Sequence, residues 1–171
     1  MTASLRIRSA VRALIIDEQQ HVLLVRLVFP DGIFWVLPGG GIDHNENHLV
    51  ALHRELAEEV GLFDATIGDP VWERTHHFRL TTTDGEVFDG QTERVYLVRT
   101  HHFVPQPTFS YEQLRTEGLH EIRWWNLDDI RAHIGPEIFV PQDLHLHVHN
   151  VVTDGVPAKP WVFHQVTENY D

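Results

Sequence analysis

The order of apolar and polar positions lays out most of the chain before any single residue is considered. Leu5–Asp17 alternates arginine with apolar residues and then turns fully apolar, which reads as a strand, with Asp17–Gln20 as its turn. His21–Val28 is a second apolar strand, closed by Pro30-Asp31-Gly32, and Ile33–Leu37 is a short apolar segment after it. Pro38-Gly39-Gly40-Gly41 then reads as a loop that neither a helix nor a strand would contain. From about Glu46 to Val60 the period becomes helical, and Gly61 is placed to stop the helix. Val71–Thr82 and Glu86–Thr100 read as strands joined by a hairpin at Thr83-Asp84-Gly85. His101–Leu119 reads as a loop. Glu121–Trp125 is a short aromatic strand, and Asn126 caps a predicted helix over Leu127–His133. Pro141–Thr153 is the last predicted helix, with Pro141 at its first position and Gly155 beyond its end. The order predicts an α+β fold, a mixed sheet covered by helices on both faces, and excludes a pure βαβ repeat.

Composition narrows this picture. A length of 171 residues suits a single domain, residues 1–171, and an apolar fraction of 42% supports a substantial core. No stretch is apolar for the ~20 residues a bilayer span needs, and the first 17 residues lack the apolar core and cleavage site of a secretory leader. Cysteine is absent, which excludes disulfides, thiol nucleophiles and cysteine-ligated zinc. A cytoplasmic location is the simplest expectation. The net charge of −12 offers no general attraction to nucleic acid or anionic membranes, so neither is expected as a partner. Any phosphate site has to be built locally, from metal ions or a few basic residues.

The helix over Glu46–Val60 carries the candidate chemistry. At about 100° per residue, Leu49, Leu52, Leu56 and Val60 form one apolar seam, and Glu55, Glu58 and Glu59 share an adjoining arc. Three like charges so close repel, and two of them lie near the negative end of the helix dipole. A hard divalent cation, Mg²⁺ or Mn²⁺, relieves that repulsion with oxygen ligands. The bland alternative is a solvated acidic face, the commoner fate of glutamate clusters.

The surroundings of the cluster decide between the two. Gly40, Glu46, Arg54, Glu55, Leu56, Glu58, Glu59, Gly61 and Leu62 stand in the spacing G-x5-E-x7-R-E-U-x-E-E-x-G-U, with U a bulky aliphatic residue. Chance agreement is on the order of 10⁻⁸ per starting point at average residue usage. This run resembles the Nudix box at every specified position, and the flanking WVLPGGG and EIRWWNLDDI segments are similar to those of Nudix proteins. The resemblance implies an α/β/α sandwich with a mixed β-sheet. It also implies hydrolysis of a pyrophosphate linkage in a nucleoside diphosphate joined to another moiety, by metal-activated water attack on phosphorus.

Residue roles follow from the same resemblance. It implies that Glu55, Glu58 and Glu59 bind Mg²⁺ or Mn²⁺, with the Gly40 carbonyl approaching the metal. It implies that Arg54 orients the glutamates through ion pairs, a task suited to its forked guanidinium. Glu46 is expected at the loop–helix junction, pairing with Arg54, and Leu56 and Leu62 in the core. The general base is either a box glutamate or one from a distant loop. Glu117, in a glycine-adjacent segment, is preferred over Glu112 and Glu121; its bland reading is a solvated loop carboxylate.

Other features carry less. The pairs His76-His77 and His101-His102, and the set His145, His147, His149, read as surface and core histidines with adventitious metal binding at most. His44, His48 and His53 flank the box and are weaker candidates for lining the site. Trp35 and one of Trp124 and Trp125 could stack on a base, though packing is the commoner fate. One or two of Arg6, Arg8, Arg12 and Arg26 could reach substrate phosphates. Candidate substrates include nucleoside triphosphates, ADP-ribose-like compounds and dinucleoside polyphosphates, and Pro70 comes too early to match the proline that marks some ADP-sugar hydrolases. The competing class is a catalytically silent nucleotide-binding module on the same fold, disfavoured because the box glutamates are all present. An isomerase on this fold is disfavoured by the missing cysteine. Family analogy alone suggests a homodimer.

Overall fold

The apolar run that opens the chain becomes β1 (Ile7–Ile16) in the computed structural model, which describes residues 4–165. The first three residues and the last six of the expected 1–171 domain therefore lie outside the described residues. In chain order there follow β2 (Val22–Phe29), β3 (Gly32–Val36), β4 (Gly39–Gly41) and α1 (His48–Val60). The middle of the chain forms β5 (Pro70–His76), β6 (Leu80–Thr81), β7 (Val87–Phe88) and β8 (Gly90–Arg99). Then come α2 (Tyr111–Thr116), β9 (Leu119–Trp125), α3 (Leu127–Ala132), β10 (Ile138–Val140), α4 (Leu144–Asp154) and β11 (Trp161–Gln165). Nine of the described strands form a mixed sheet in the order β10-β3-β2-β1-β8-β5-β11, with β4 paired to β1 and β9 to β2, and β6 pairs with β7 in a separate two-stranded sheet. β1–β8, β3–β10 and β5–β11 are parallel and the other pairs antiparallel.

Strand alternation sorts the core into two layers. Leu14 and Ile16 of β1 point to a layer shared with Val148 and Val151 of α4 and Ile130 of α3. Val11, Ala13 and Ile15 point the other way, against Ala51, Leu52, Leu56 and Val60 of α1. Helices therefore cover both faces, the α/β/α arrangement expected from the sequence.

One irregularity in the sheet positions the site. β1 and β2 are registered only at Ile16↔Val22 and then diverge. β8 already occupies the other edge of β1 and β3 the other edge of β2, so β4 and β9 line the two lips of the opening. α1 packs on β1 and β4 beside that split.

Four expectations are corrected here. Gly39–Gly41 is a strand, paired as Ala10↔Gly41, Val11↔Gly40 and Arg12↔Gly39. Only missing side chains permit it: Gly39 has φ of 137°, and a Cβ there would lie 2.1 Å from the Val11 carbonyl oxygen. The loop expected over 101–119 contains α2, started by a capping box in which Ser110 and Gln113 each accept the other's backbone N–H. The last helix starts at Leu144, not Pro141, because β10 pairs with β3 right up to Val140 and Pro141 lies buried just beyond it. Finally, Leu49 is 47% exposed, so the buried stripe of α1 runs through Ala51, Leu52, Glu55, Leu56, Glu59 and Val60. Two of the glutamates, Glu55 and Glu59, are thus on the buried side of the helix together with the apolar seam.

Candidate metal centre

α1 is held at both ends by local sequence. The Asn47 side chain accepts the Val50 N–H, and Gly61, at φ of 69°, returns its N–H to the end of the helix. Between these caps Arg54 gathers most of the carboxylates. Its Nε and Nη2 donate to the two oxygens of Glu46 at 2.6 and 2.8 Å, and its Nη1 donates to Glu55 at 2.9 Å and Glu58 at 3.2 Å. Nη2 also donates to the Gly41 carbonyl at 3.0 Å, which ties the glycine strand to the helix. The forked hydrogen bond from Arg54 holds the Glu46 carboxyl down to about pKa 2.

Glu59 reaches the same strand from its other end, accepting the Gly39 N–H at 2.9 Å. Gly40, between them, lies against the Glu55 carboxylate; a Cβ on it would sit 2.5 Å from Oε1. The strand is thus glycine three times over because the Val11 backbone, the Glu55 carboxylate and the Arg8 guanidinium crowd its three positions in turn. Burial pushes the Glu59 carboxyl up to about pKa 8, with the Glu55 charge adding to it, and the Gly39 N–H and Arg12 oppose the shift only in part. Glu55 is also raised, by burial first, against the opposing pull of Arg54. The cluster holds more negative charge than its guanidinium neutralises.

Glu117 closes α2 as its C-terminal cap, and the fold brings it to this cluster from across the split sheet. Its charge acts on Glu55 and Glu59, and although the residue is exposed, partial desolvation of its carboxyl followed by the Glu58 charge raises its own pKa. Of the alternatives, Glu121 is engaged by Arg123 at 2.8 Å and Glu112 sits in the first turn of α2. His48 begins α1 and faces the Tyr96 hydroxyl at 3.3 Å, while His44 and His53 are exposed.

The arginines divide. Arg8 lies along Gly41 and donates to Gln91 at 3.2 Å, beside the cluster. Arg12 donates to Glu93 at 2.7 Å and to the Leu37 and Gly39 carbonyls at 2.8 and 3.3 Å, so it braces the glycine strand from behind. Arg6 lies over Phe88 and Arg26 faces Glu137, both away from the cluster. Trp35 and Trp125 are buried edge-to-face in the core, and Trp124 packs into the opposite layer. None of the three is an open stacking platform.

Sequence reading missed Glu93, which is 4% exposed and sits between Arg12 and Arg74, with Gln91 donating to it at 2.8 Å. Burial alone would raise its carboxyl, but Arg12 and Arg74 hold it well below the usual range. A signal was present: Gln91 and Glu93 share a strand face with Val95 and Leu97, so polar residues occupy inward positions.

The NUDIX domain family profile matches residues 6–143. An RNA pyrophosphohydrolase of Helicobacter pylori (strain G27) is 41% identical over 70 residues, covering 40% of this chain and 45% of that protein. One of Saccharophagus degradans is 37% identical over 97 residues, covering 54% and 56%. The chain thus spans about half the length of these relatives. Among solved structures, the NUDIX domain of Shewanella oneidensis NrtR, complexed with ADP ribose, superposes with a TM-score of 0.62 at 23% identity, covering 90% of this chain and 91% of that one. A NUDIX hydrolase from Nitrosomonas europaea gives 0.59 at 19% identity, covering 88% and 91%.

Proposed function

Because the chain belongs to the NUDIX domain family, we propose that it is a divalent-metal-dependent pyrophosphohydrolase acting on a nucleoside diphosphate linked to another moiety. The observation that carries this reading is the charge imbalance on α1. Among the described residues, Glu46, Glu55 and Glu58 converge on Arg54 as their ion-pair partner, and Glu59 is buried away from it with a backbone N–H as its hydrogen-bond donor. Hard oxygen donors around a missing positive charge fit Mg²⁺ or Mn²⁺. Glu55, Glu58 and Glu59 would hold it, with the Gly40 backbone beside Glu55. When bound, the metal neutralises anionic phosphate oxygens and acidifies a coordinated water.

The chain's own residues do the rest in this reading. Arg54 keeps Glu55 and Glu58 in fixed orientations, which limits reorganisation during the reaction. Arg8, beside Gly41, would receive a phosphate oxygen. Glu117 faces the cluster from a separate element, and its raised pKa strengthens it as a base for the attacking water's proton. Water attacks phosphorus in line, the anhydride P–O bond breaks, and the leaving phosphate or nucleotide takes the electron pair. Residues 1–171 would act as one domain.

The names of the relatives reopen the exclusion of nucleic acid drawn from net charge. An RNA 5′-polyphosphate end needs only the local phosphate site, so the −12 charge is no barrier to it. The test is a panel of nucleoside triphosphates, ADP-ribose, dinucleoside polyphosphates and 5′-triphosphorylated RNA with Mg²⁺ or Mn²⁺, reading released phosphate with and without added phosphatase. Turnover on one class, falling more than ~10³-fold in Glu58→Gln combined with Glu59→Gln, supports the proposal. Inactivity across the panel with retained nucleotide binding would instead establish the silent binding module.

A further inference from the structure

A second group of ligating side chains lies at the far end of β1. Asp17 follows β1, His21 precedes β2, and His102 lies just past β8, so the sheet brings together residues 85 apart in sequence. The Asp17 side chain is fully buried. Its Oδ1 is already occupied by the N–H groups of Gln19 and His21, at 2.9 and 2.8 Å. That leaves Oδ2 turned to the histidines, and both rings present Nδ1 to it, His21 at 2.9 Å and His102 at 2.8 Å.

We propose that Asp17, His21 and His102 form a second divalent-cation site, suited to Zn²⁺ and separate from the glutamate centre. Two imidazoles and a carboxylate are the donors Zn²⁺ takes when three protein ligands leave a fourth position for water. The three donor atoms lie within 4.8 Å of one another. A tetrahedral ion with bonds of about 2.0–2.1 Å sets neighbouring donors roughly 3.3 Å apart. The carboxylate–imidazole separations therefore need to open by only about 0.4–0.5 Å. His102 is half exposed and His21 a quarter, so both rings have room for that shift and the open position faces solvent.

The ligands are also braced from behind. The His102 N–H donates to Glu18 at 2.7 Å, and the His102 ring lies 4.9 Å from that of Trp124, whose Nε1 donates to the Phe103 carbonyl at 2.9 Å. Proton accounting is simple. A neutral ring donating from Nδ1 to Asp17 moves that proton to Nε2 through solvent, which frees the Nδ1 lone pair for the ion. The two centres do not compete for one ion: Arg12, behind the glycine strand, is five residues from Asp17, about 16 Å along an extended strand. Carboxylates and a glycine strand form the one, imidazoles dominate the other, and Mg²⁺ prefers the first.

Isothermal titration of the full chain with Zn²⁺, under saturating Mg²⁺, tests this. The expected result is one Zn²⁺ equivalent in the wild type that vanishes in Asp17→Asn and in His102→Gln, accompanied by a loss of the Trp124 fluorescence response. Because His102 is half exposed, His102→Gln keeps the fold and decides the matter if Asp17→Asn does not. No Zn²⁺ equivalent in the wild type, or one that survives His102→Gln, overturns the site; a Zn²⁺ equivalent removed by His149→Gln alone does the same.

Discussion

Two ionic clusters grip the glycine strand from opposite sides, and they differ in charge balance. Arg54 holds the Gly41 carbonyl while facing Glu46, Glu55 and Glu58, with Glu59 beside them. Arg12 holds the Leu37 and Gly39 carbonyls, and together with Arg74 it faces the single carboxylate of Glu93. In the Glu93 cluster two guanidiniums share one buried acid, which stays ionised. The Arg54 cluster is the reverse, since carboxylates outnumber its guanidinium and burial raises the pKa of two of them. Burying a charge is tolerable only with compensation, so the first arrangement stabilises structure and the second stores a demand for a cation. Position in the fold is nearly the same; excess guanidinium makes one a brace, and excess carboxylate in the other is what the proposed cation would answer.

Removing the acid from the Glu93 cluster gives the largest expected effect. Glu93→Gln takes away the buried carboxylate that Arg12 and Arg74 both face and should cost about 3 kcal/mol in urea denaturation. The estimate is at the low end for a broken buried pair because the amide keeps one acceptor. The loss should be the same with and without Mg²⁺. A loss that Mg²⁺ repairs would mean the two clusters are one.

The Arg54 cluster should behave in the opposite way. Glu59 titrates near pH 4.5 unfolded and near 8 folded, so between those values the folded state binds more protons. Stability attributable to Glu59 is therefore fully present below about pH 4.5 and is lost as pH rises through about 8. The loss should develop between about pH 4.5 and 8 in the absence of divalent ions. Mg²⁺ should restore it, and Glu59→Gln should abolish both the slope and the restoration. Thermal unfolding from pH 5 to 9, with EDTA or with Mg²⁺, checks all three.

Smaller effects sharpen the role of each arginine and of the distant acid. Arg54→Lys keeps the charge but cannot make the forked contact to Glu46 or span to Glu55 and Glu58. It should lower kcat/KM about 10–100-fold and weaken Mg²⁺ activation in parallel, in steady-state assays on the best substrate from the panel. Glu117→Gln should lower kcat about 10–100-fold, with KM little changed and the acidic limb of the pH–rate profile flattened. An unaltered acidic limb would return the base to a glutamate of α1.

Much of this was open to inspection in the linear chain. The span of α1, its Gly61 stop, the hairpin at Thr83-Asp84-Gly85 and the Asn126 cap all rest on hydrogen bonds between residues a few positions apart. The capping box of α2 was equally local, yet the prolines before it concealed a helix with no buried residue. β10 and β11 were not legible, because a few apolar residues become a strand only when a distant edge is there to pair with.

The sequence by itself determined that three glutamates share a helix arc behind a glycine run, because helical periodicity and backbone sterics are local. It also identified the family, since the whole box lies in one continuous segment. Only the tertiary structure decided that Glu55 and Glu59 are buried while Leu49 is exposed, and that the glycines form a strand against β1. It also decided that Glu117 faces the cluster from another element, that Glu93 stands between two arginines, and that Asp17 meets His102. Each of these depends on which strand lies next to which. Sheet pairing is set by the packing of the whole core, and no window along the chain contains it.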